Sequence, residues 1–314
     1  MLARVLVLGC LVVSVVGCGG SGAARPASDP FVYDRGASLD VREISSWKAD
    51  GATVHDVSYA SPRGGRVPAF VVVPSGDGPF AGLIVQHGMP SSRREVLPIA
   101  LEFARLGAVV VAIDAPFGRR SGDPVRFDER DRVEQIQLIV DLRRAVDLLR
   151  ARSEVDGERI AYLGISYGAA MGGLLAGVER RIATFVLAVG DGGLVEHFGA
   201  RRDAGGSLPP LSADRRRRWL KAMRPIEPLR YIARASAPLF LQSGRQDDLV
   251  PPADARRYQR AAPEPKQVKW YDSGHRLPPQ ATCDQARWLS EHVGTAPARY
   301  IRGARSGSYR CPGP

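Results

Sequence analysis

Short apolar runs alternate with helical patterns along most of this chain, and that alternation limits the possible folds more than any other feature. Continuous apolar runs occupy residues 83–86, 108–113, 160–163, 182–189 and 239–242, and segments with helical spacing separate them. Strands that are apolar on both faces and alternate with helices are typical of a parallel sheet covered on both sides. We therefore predict a single α/β domain built on a doubly wound, mostly parallel sheet.

Three segments add detail to this pattern. Residues 54–60 and 67–73 have strand-like patterns and are joined by a Pro-Arg-Gly-Gly turn, which predicts a β-hairpin. Residues 128–152 form the longest helical pattern, and we expect Val133 and the apolar residues that follow it at helical spacing to face the core. Between residues 191 and 234 the alternation stops, which predicts an inserted loop or a small helical lid.

Residues 164–168 read Gly-Ile-Ser-Tyr-Gly and match the G-x-S-x-G nucleophile elbow. The pattern alone is weak, but here it follows an apolar strand and precedes a run of small residues that lets a helix pack closely. The glycines have a steric reason, because the serine sits on a sharp, strained turn where neighbouring side chains would collide. We predict that Ser166 is a nucleophile.

A serine hydroxyl needs a base, and histidine is the usual one. Of the five histidines, His275 follows the last predicted strand, in a turn from which its imidazole can reach the nucleophile. His292 lies in a helical pattern, His55 lies in the hairpin, and His197 lies in the predicted lid, where it could at most contact substrate. His87 ends a strand and is expected to be structural. We therefore predict His275 as the base.

A carboxylate should orient that imidazole, and in the chain order nucleophile, acid, base it falls between the other two. The loop after residues 239–242 offers two candidates, Asp247 and Asp248. The spacing Gly-x-x-Asp-x-x-Val-Pro over residues 244–251 resembles the acid loop common in the α/β-hydrolase superfamily. That resemblance implies Asp247, and Asp248 remains the alternative.

Taken together, these residues resemble the α/β-hydrolase superfamily, and in particular its dienelactone hydrolase-like and acetyl xylan esterase-like serine esterases. Residues 114–118, 144–147 and 155–160 are similar to segments of those families. The resemblance implies an α/β-hydrolase domain over residues 37–314 with a short lid insertion at 191–234. It also implies an oxyanion hole formed by the backbone N–H groups of Met89, which follows a His-Gly pair, and Tyr167. Two departures are Tyr167, where many relatives have Gln, and the lid, which carries no readable motif.

The resemblance implies a carboxylic ester hydrolase that acts through an acyl-enzyme on a small-molecule ester. A prolyl-oligopeptidase-like peptidase is the main alternative, since those enzymes share this core. Such peptidases usually carry a large N-terminal propeller, whereas only some 35 residues separate Cys18 from the first predicted strand. A non-enzymatic binding protein on the same scaffold is a third possibility, and the Ser, Asp and His set argues against it.

The first residues have the layout of a secretory signal peptide. A short basic start precedes an apolar stretch, residues 5–16, that is too short to span a bilayer. Residues 15–18 resemble the lipobox of bacterial lipoproteins, in which Cys18 is lipidated; the alternative is an ordinary signal peptide with an incidental Cys18. We expect a signal peptide over residues 1–17, a flexible tether over 18–36, and an exported protein, either a cell-envelope lipoprotein attached to the membrane through Cys18 or a secreted one.

Two cysteines, Cys283 and Cys311, lie in the mature domain. In an oxidising compartment they can form one disulfide, and two free thiols are the alternative. Neither has a second Cys or a His at ligand spacing. We predict no metal site in this chain, and we expect no cofactor. The net charge of +11 is densest at residues 215–218, which we expect to be a solvated helix face. No nucleic-acid reading motif is present, and we expect no such partner.

Overall fold

The structure is a computed structural model that describes residues 29–201, 211–302 and 308–312. Its strands are β1 (Arg42–Ala49), β2 (Ala52–Ala60), β3 (Arg66–Pro74), β4 (Phe80–Gln86), β5 (Ala108–Ile113), β6 (Val155–Ile165), β7 (Thr184–Ala188), β8 (Leu239–Gly244), β9 (Lys266–Tyr271), β10 (Tyr300–Arg302) and β11 (Ser308–Arg310). Its helices are α1 (Leu97–Arg105), α2 (Glu129–Arg150), α3 (Tyr167–Ala176), α4 (Leu194–Arg201), α5 (Ala213–Met223), α6 (Pro228–Ile232), α7 (Pro252–Ala261) and α8 (Pro279–Val293).

The first nine strands form one sheet in the order β1-β2-β3-β5-β4-β6-β7-β8-β9. The pairs from β5 to β9 are parallel, whereas β1, β2 and β3 join antiparallel at one end. The predicted hairpin corresponds to β2 and β3. The predicted doubly wound, mostly parallel sheet is confirmed.

Helices cover both faces of this sheet. On one face the core includes Leu142 of α2 and Leu174 of α3, and on the other it includes Phe103 of α1 and Leu289 of α8, all four of them fully buried. The parallel strands contribute to both cores because their side chains alternate between the two faces. All their carboxyl ends therefore open onto the same edge of the sheet.

The prediction that Val133 faces the core is wrong. Val133 is 61% exposed, because it lies in the first turns of α2, ahead of the part of the helix that packs on the sheet. Further along, α2 is buried on more than one side, and both Arg143 and Arg144 are inside. The chain segment before β1 packs against this second side of α2. Arg143, for example, donates a hydrogen bond to the carbonyl of Phe31, at 2.7 Å. Phe31 is fully buried, so the predicted tether ends before residue 36.

The segment predicted as a lid, residues 191–234, contains α4, α5 and α6. Trp219 of α5 is 2% exposed, and its indole N–H donates to Oδ2 of Asp131 in the first turns of α2, at 2.7 Å. The same indole packs on the ring of Phe127, with ring centres 5.0 Å apart. These contacts fix the middle of the lid to the start of α2. Across the described part of the chain, no helix has both the length and the apolar character needed to cross a membrane.

Candidate active site

Ser166 occupies the single residue between the end of β6 and the start of α3. Its backbone has φ 54° and ψ −114°, a conformation that residues with a Cβ rarely adopt. A Cβ added to Gly164 would lie 2.3 Å from the carbonyl oxygen of Gly168, and one added to Gly168 would lie 2.3 Å from that of Gln86. The turn is therefore too tight for side chains at either glycine, as the motif predicts.

Two loops bring His275 and Asp247 to this serine. His275 follows β9, and its Nε2 lies 2.9 Å from the Ser166 Oγ. Asp247 follows β8, and its Oδ2 lies 2.8 Å from His275 Nδ1. The three side chains thus form one continuous hydrogen-bonded chain at the carboxyl edge of the sheet.

The loop also holds the second oxygen of Asp247. Its Oδ1 accepts hydrogen bonds from the backbone N–H groups of Leu249 and Val250, at 2.9 and 2.8 Å. Asp247 is 5% exposed, whereas the neighbouring Asp248 is exposed. Geometry therefore distinguishes two aspartates that are adjacent in sequence.

His87 lies near the serine but has both ring nitrogens engaged elsewhere. Its Nδ1 donates to the carbonyl of Gly88 at 2.7 Å, and its Nε2 accepts from the N–H of Ala115 at 3.1 Å. The ring is fully buried, and burial lowers the pKa of His87. The neutral His87 side chain thus links the loop after β4 to the loop after β5 through hydrogen bonds.

The loop after β4 runs directly past Ser166. A Cβ on Gly88 would lie 3.2 Å from the Cβ of Ser166, so glycine allows this close approach. Met89, the next residue, lines the same cavity as Ser166. Tyr167 is the first residue of α3, and a helix makes no internal use of its first N–H groups. Both residues predicted to supply the oxyanion hole therefore adjoin the serine.

The aromatic ring of Tyr167 fills space beneath this loop. It packs edge-on against Phe117 with ring centres 5.5 Å apart, and Phe117 in turn packs edge-on against His87 at 5.6 Å. Burial raises the pKa of Tyr167, so its phenol stays protonated. The ring has a packing role that a glutamine at this position would not reproduce.

A cavity of about 360 Å³ opens at Ser166 and His275. Most of its wall is apolar and comes from the loop before α2, from α4 and from the acid loop. The apolar lining residues are Met89, Pro90, Pro124, Val125, Phe127, Leu194, Phe198, Leu249 and Val250. Sequence reasoning missed the loop over residues 122–127, because its Gly and Pro mark a loop without indicating what the loop faces.

Cys283 and Cys311 form a disulfide with an S–S distance of 2.10 Å. The bond joins α8 to the segment after β11, far along the chain from the serine. Cys18, the predicted lipidation site, and the predicted signal peptide lie outside the described residues.

A family model described as the prolyl oligopeptidase family matches residues 99–276, more than half of the chain. This chain belongs to the prolyl oligopeptidase family. The matched range contains Ser166, Asp247 and His275, and it spans the sheet from β5 to β9. As a member of the prolyl oligopeptidase family with this fold, the protein is a serine hydrolase.

Several relatives and structural neighbours are similar to this prolyl oligopeptidase family member. An uncharacterized protein of Mycobacterium tuberculosis is 29% identical over 215 residues, 67% of this chain and 68% of the relative. Acyl-coenzyme A thioesterase 1 of Rattus norvegicus is 27% identical over 60% of this chain and 43% of its own. The acetyl xylan esterase from a Paenibacillus species has a TM-score of 0.66 at 21% identity, over 82% of this chain and 90% of its own. That last likeness shows a shared fold.

Proposed function

We propose that this protein is a serine esterase that cleaves a small carboxylic ester through an acyl-enzyme intermediate. The observation that carries the proposal is the hydrogen-bonded chain from Ser166 through His275 to Asp247. In this proposal Ser166 is the nucleophile, His275 the general base and Asp247 the carboxylate that orients the imidazole.

The geometry supports a two-step reaction. His275 Nε2 removes the proton from Ser166 Oγ as this oxygen attacks the ester carbonyl, and the same nitrogen then protonates the leaving alcohol. Asp247 stabilises the imidazolium that forms in between. A water activated by His275 then releases the acyl group from Ser166, which restores the free enzyme.

The developing oxyanion needs donors that are already in position. Met89 lines the same cavity as Ser166, and Tyr167 follows Ser166 as the first residue of α3; their backbone N–H groups are the proposed donors. Loss of one such donor typically costs about 3 kcal/mol of barrier. Because both are backbone groups, a side-chain substitution does not delete them directly.

The cavity favours an ester with a small apolar acyl group. Its wall is largely apolar, and its volume of about 360 Å³ lies near the lower end of small-molecule sites. The similarity to proteins named as a thioesterase and an acetyl xylan esterase points in the same direction. We propose no cofactor for this reaction, since all the groups it needs are side chains and backbone donors.

The match to the prolyl oligopeptidase family supports a second candidate, a serine peptidase. The same three side chains can attack an amide, and the two candidates differ in which leaving group the cavity accepts. An assay on both substrate classes separates them.

The test uses purified protein without residues 1–18 and p-nitrophenyl acetate as substrate. Ser166→Ala should lower kcat/KM by at least about 10³-fold, and Asp247→Asn by about 10⁴-fold, because each removes a member of the proton-transfer chain. Asp248→Asn is the matched control, and its activity should stay within about twofold of wild type, as for most surface changes. A wild-type protein that a fluorophosphonate probe does not label would contradict the assignment of Ser166.

Prolyl p-nitroanilide peptides complete the assay. The esterase proposal expects kcat/KM on p-nitrophenyl acetate to exceed that on the anilides. Higher activity on the anilides, lost in Ser166→Ala, would instead establish the peptidase and leave the catalytic residues as assigned.

We further propose that the protein is exported and held at the cell envelope through a lipidated Cys18. The disulfide between Cys283 and Cys311 supports export, because such bonds persist in oxidising compartments.

A further inference from the structure

Three side chains that the proposed reaction does not use meet at one wall of the active-site cavity. Asp191 follows β7, His197 lies on α4 of the lid, and Asp254 lies in the first turn of α7. One nitrogen or oxygen atom from each lies within 4.8 Å of the others. Asp191 and His197 line the cavity that contains Ser166.

The carboxylate of Asp191 is only half satisfied. Asp191 is 3% exposed, and its Oδ1 accepts a hydrogen bond from the N–H of Gly193 at 2.8 Å. Its Oδ2 is buried and has no hydrogen-bond partner among the described residues. This oxygen therefore makes no hydrogen bond by geometry, although it lies in ion-pair contact with His197, and it is available as a ligand atom.

Nδ1 of His197 lies 2.9 Å from that oxygen as an ion-pair contact, without forming a hydrogen bond by geometry. A separation of 2.9 Å between these two atoms is the distance expected between two ligands of one metal ion. Ligands about 2.1 Å from a metal and roughly 90–110° apart lie about 3 Å from each other. Asp254 adds a second carboxylate from a different element, α7.

We propose that Asp191, His197 and Asp254 bind a divalent metal ion, Zn²⁺, at the lid side of the cavity. One imidazole and two carboxylates are a donor set that Zn²⁺ accepts, with water in the remaining position. The ligand atoms are His197 Nδ1, Asp191 Oδ2 and a carboxylate oxygen of Asp254.

The ion would join three segments that are separate in sequence. It fastens α4 to the loop after β7 and to α7, which begins directly after the loop that carries Asp247. Its role is therefore to hold the lid wall of the cavity in place, and this role does not depend on whether the substrate is an ester or an amide.

The test is calorimetric titration of Zn²⁺ into the full chain after treatment with a chelator. Wild type should bind one Zn²⁺ with micromolar or tighter affinity, and Zn²⁺ should raise its unfolding temperature. Asp191→Asn and His197→Gln should each weaken binding by at least about tenfold, the low end for disturbing a metal site. Asp254→Asn should also weaken Zn²⁺ binding by at least about tenfold. Because the Asp254 side chain is only half-buried, this variant tests the site even if Asp191→Asn fails to fold.

Two control variants locate the ion. His55→Gln removes a histidine of the β1–β2 hairpin, and His275→Gln removes the proposed base; both should retain wild-type Zn²⁺ affinity. The proposal is overturned if wild type binds no Zn²⁺ at micromolar concentration, or if His275→Gln loses binding while Asp191→Asn and His197→Gln keep it. Labelling of Ser166 by a fluorophosphonate tests the hydrolase assignment separately.

Discussion

Ser166 combines the proposed nucleophilic hydroxyl with a strained backbone. A non-glycine residue in such a conformation costs about 1–3 kcal/mol, and the neighbouring hydrogen bonds hold it there. The N–H of Ser166 donates to the carbonyl of Ala188 at 2.8 Å, and the carbonyl of Ser166 accepts from the N–H of Ala170 at 3.0 Å. This backbone conformation places the Oγ 2.9 Å from His275 Nε2, so in the proposed reaction the strain serves the chemistry while it opposes stability.

Ser166→Gly should therefore be more stable than Ser166→Ala. Both variants lose the hydrogen bond to His275, but only glycine adopts a φ of 54° without strain. We expect the free energy of unfolding of the glycine variant to exceed that of the alanine variant by about 1 kcal/mol. Urea unfolding of the two proteins at pH 7 measures the difference. Equal stabilities would mean that the turn carries no strain at this residue.

The sequence pattern predicted the identity of the three central residues better than their surroundings. Ser166 and His275 stand out because a short motif and a position after a strand are local signals. The sequence could not distinguish Asp247 from Asp248 as clearly. The two differ in their hydrogen bonds, because Asp247 accepts from the N–H groups of residues 249 and 250, and such bonds are not visible in a sequence. The approach of His197 to Asp191 depends on how the lid folds back, which no local pattern encodes.

At the scale of elements, one carboxylate joins α2 to the segment between α3 and β7. Glu179 is 2% exposed and accepts hydrogen bonds from Arg143 at 3.1 Å and from Arg181 at 2.7 to 3.0 Å. Burial alone would raise the pKa of Glu179, but the bonds and charges of Arg181 and Arg143 outweigh it and lower the pKa from 4.5 to about 2. The ionised form is therefore the one that stabilises this junction.

Glu179→Gln should destabilise the protein in a pH-dependent way. A depressed pKa contributes stability that is complete above pH 4.5 and is lost as the pH falls towards 2. A shift of this size corresponds to about 3 kcal/mol. The gap in unfolding free energy between wild type and variant should be largest at pH 6–7 and shrink below pH 4.5. Urea titrations across this range, with exposed Glu158→Gln as control, measure it. A gap that does not change with pH would contradict this assignment.

The elements that bury apolar side chains were predictable, and the exposed ones were not. β5 matches its predicted residues 108–113 because all six of its residues are buried. β1 was missed, since seven of its eight residues are exposed and no apolar pattern marks them. β11 has only exposed residues and pairs with β10, next to the disulfide. Val133 was misplaced because helical spacing shows which side of α2 is apolar, but not where along it the packing begins.

At the scale of the whole molecule, the proposed lipid anchor at Cys18 and the disulfide are both consistent with an exported protein. Phe31 is fully buried, so the folded domain begins about a dozen residues after Cys18. If Cys18 carries a lipid, that short spacing keeps the domain close to the membrane.

Cys18→Ser should release the protein from membranes, because lipidation requires the thiol. Fractionation of cells that express the full chain should find wild type in the membrane fraction and the variant in the soluble fraction. Cys10→Ser is the matched control within the predicted signal peptide and should leave the membrane fraction unchanged. Membrane retention of Cys18→Ser would contradict the anchor and leave the catalytic proposal unaffected.

The two edge strands of the sheet, β1 and β9, carry features that disfavour pairing with strands of other copies of the protein. β1 exposes Arg42, Glu43 and Lys48, and its register with β2 shifts between Glu43 and Ser45. At the other end, β9 carries Lys266 and Lys269. A strand from another copy that paired with either edge would have to desolvate these charges or follow an irregular backbone. A sheet that could otherwise grow from molecule to molecule is thereby kept at nine strands, which protects the protein from aggregation through its edges.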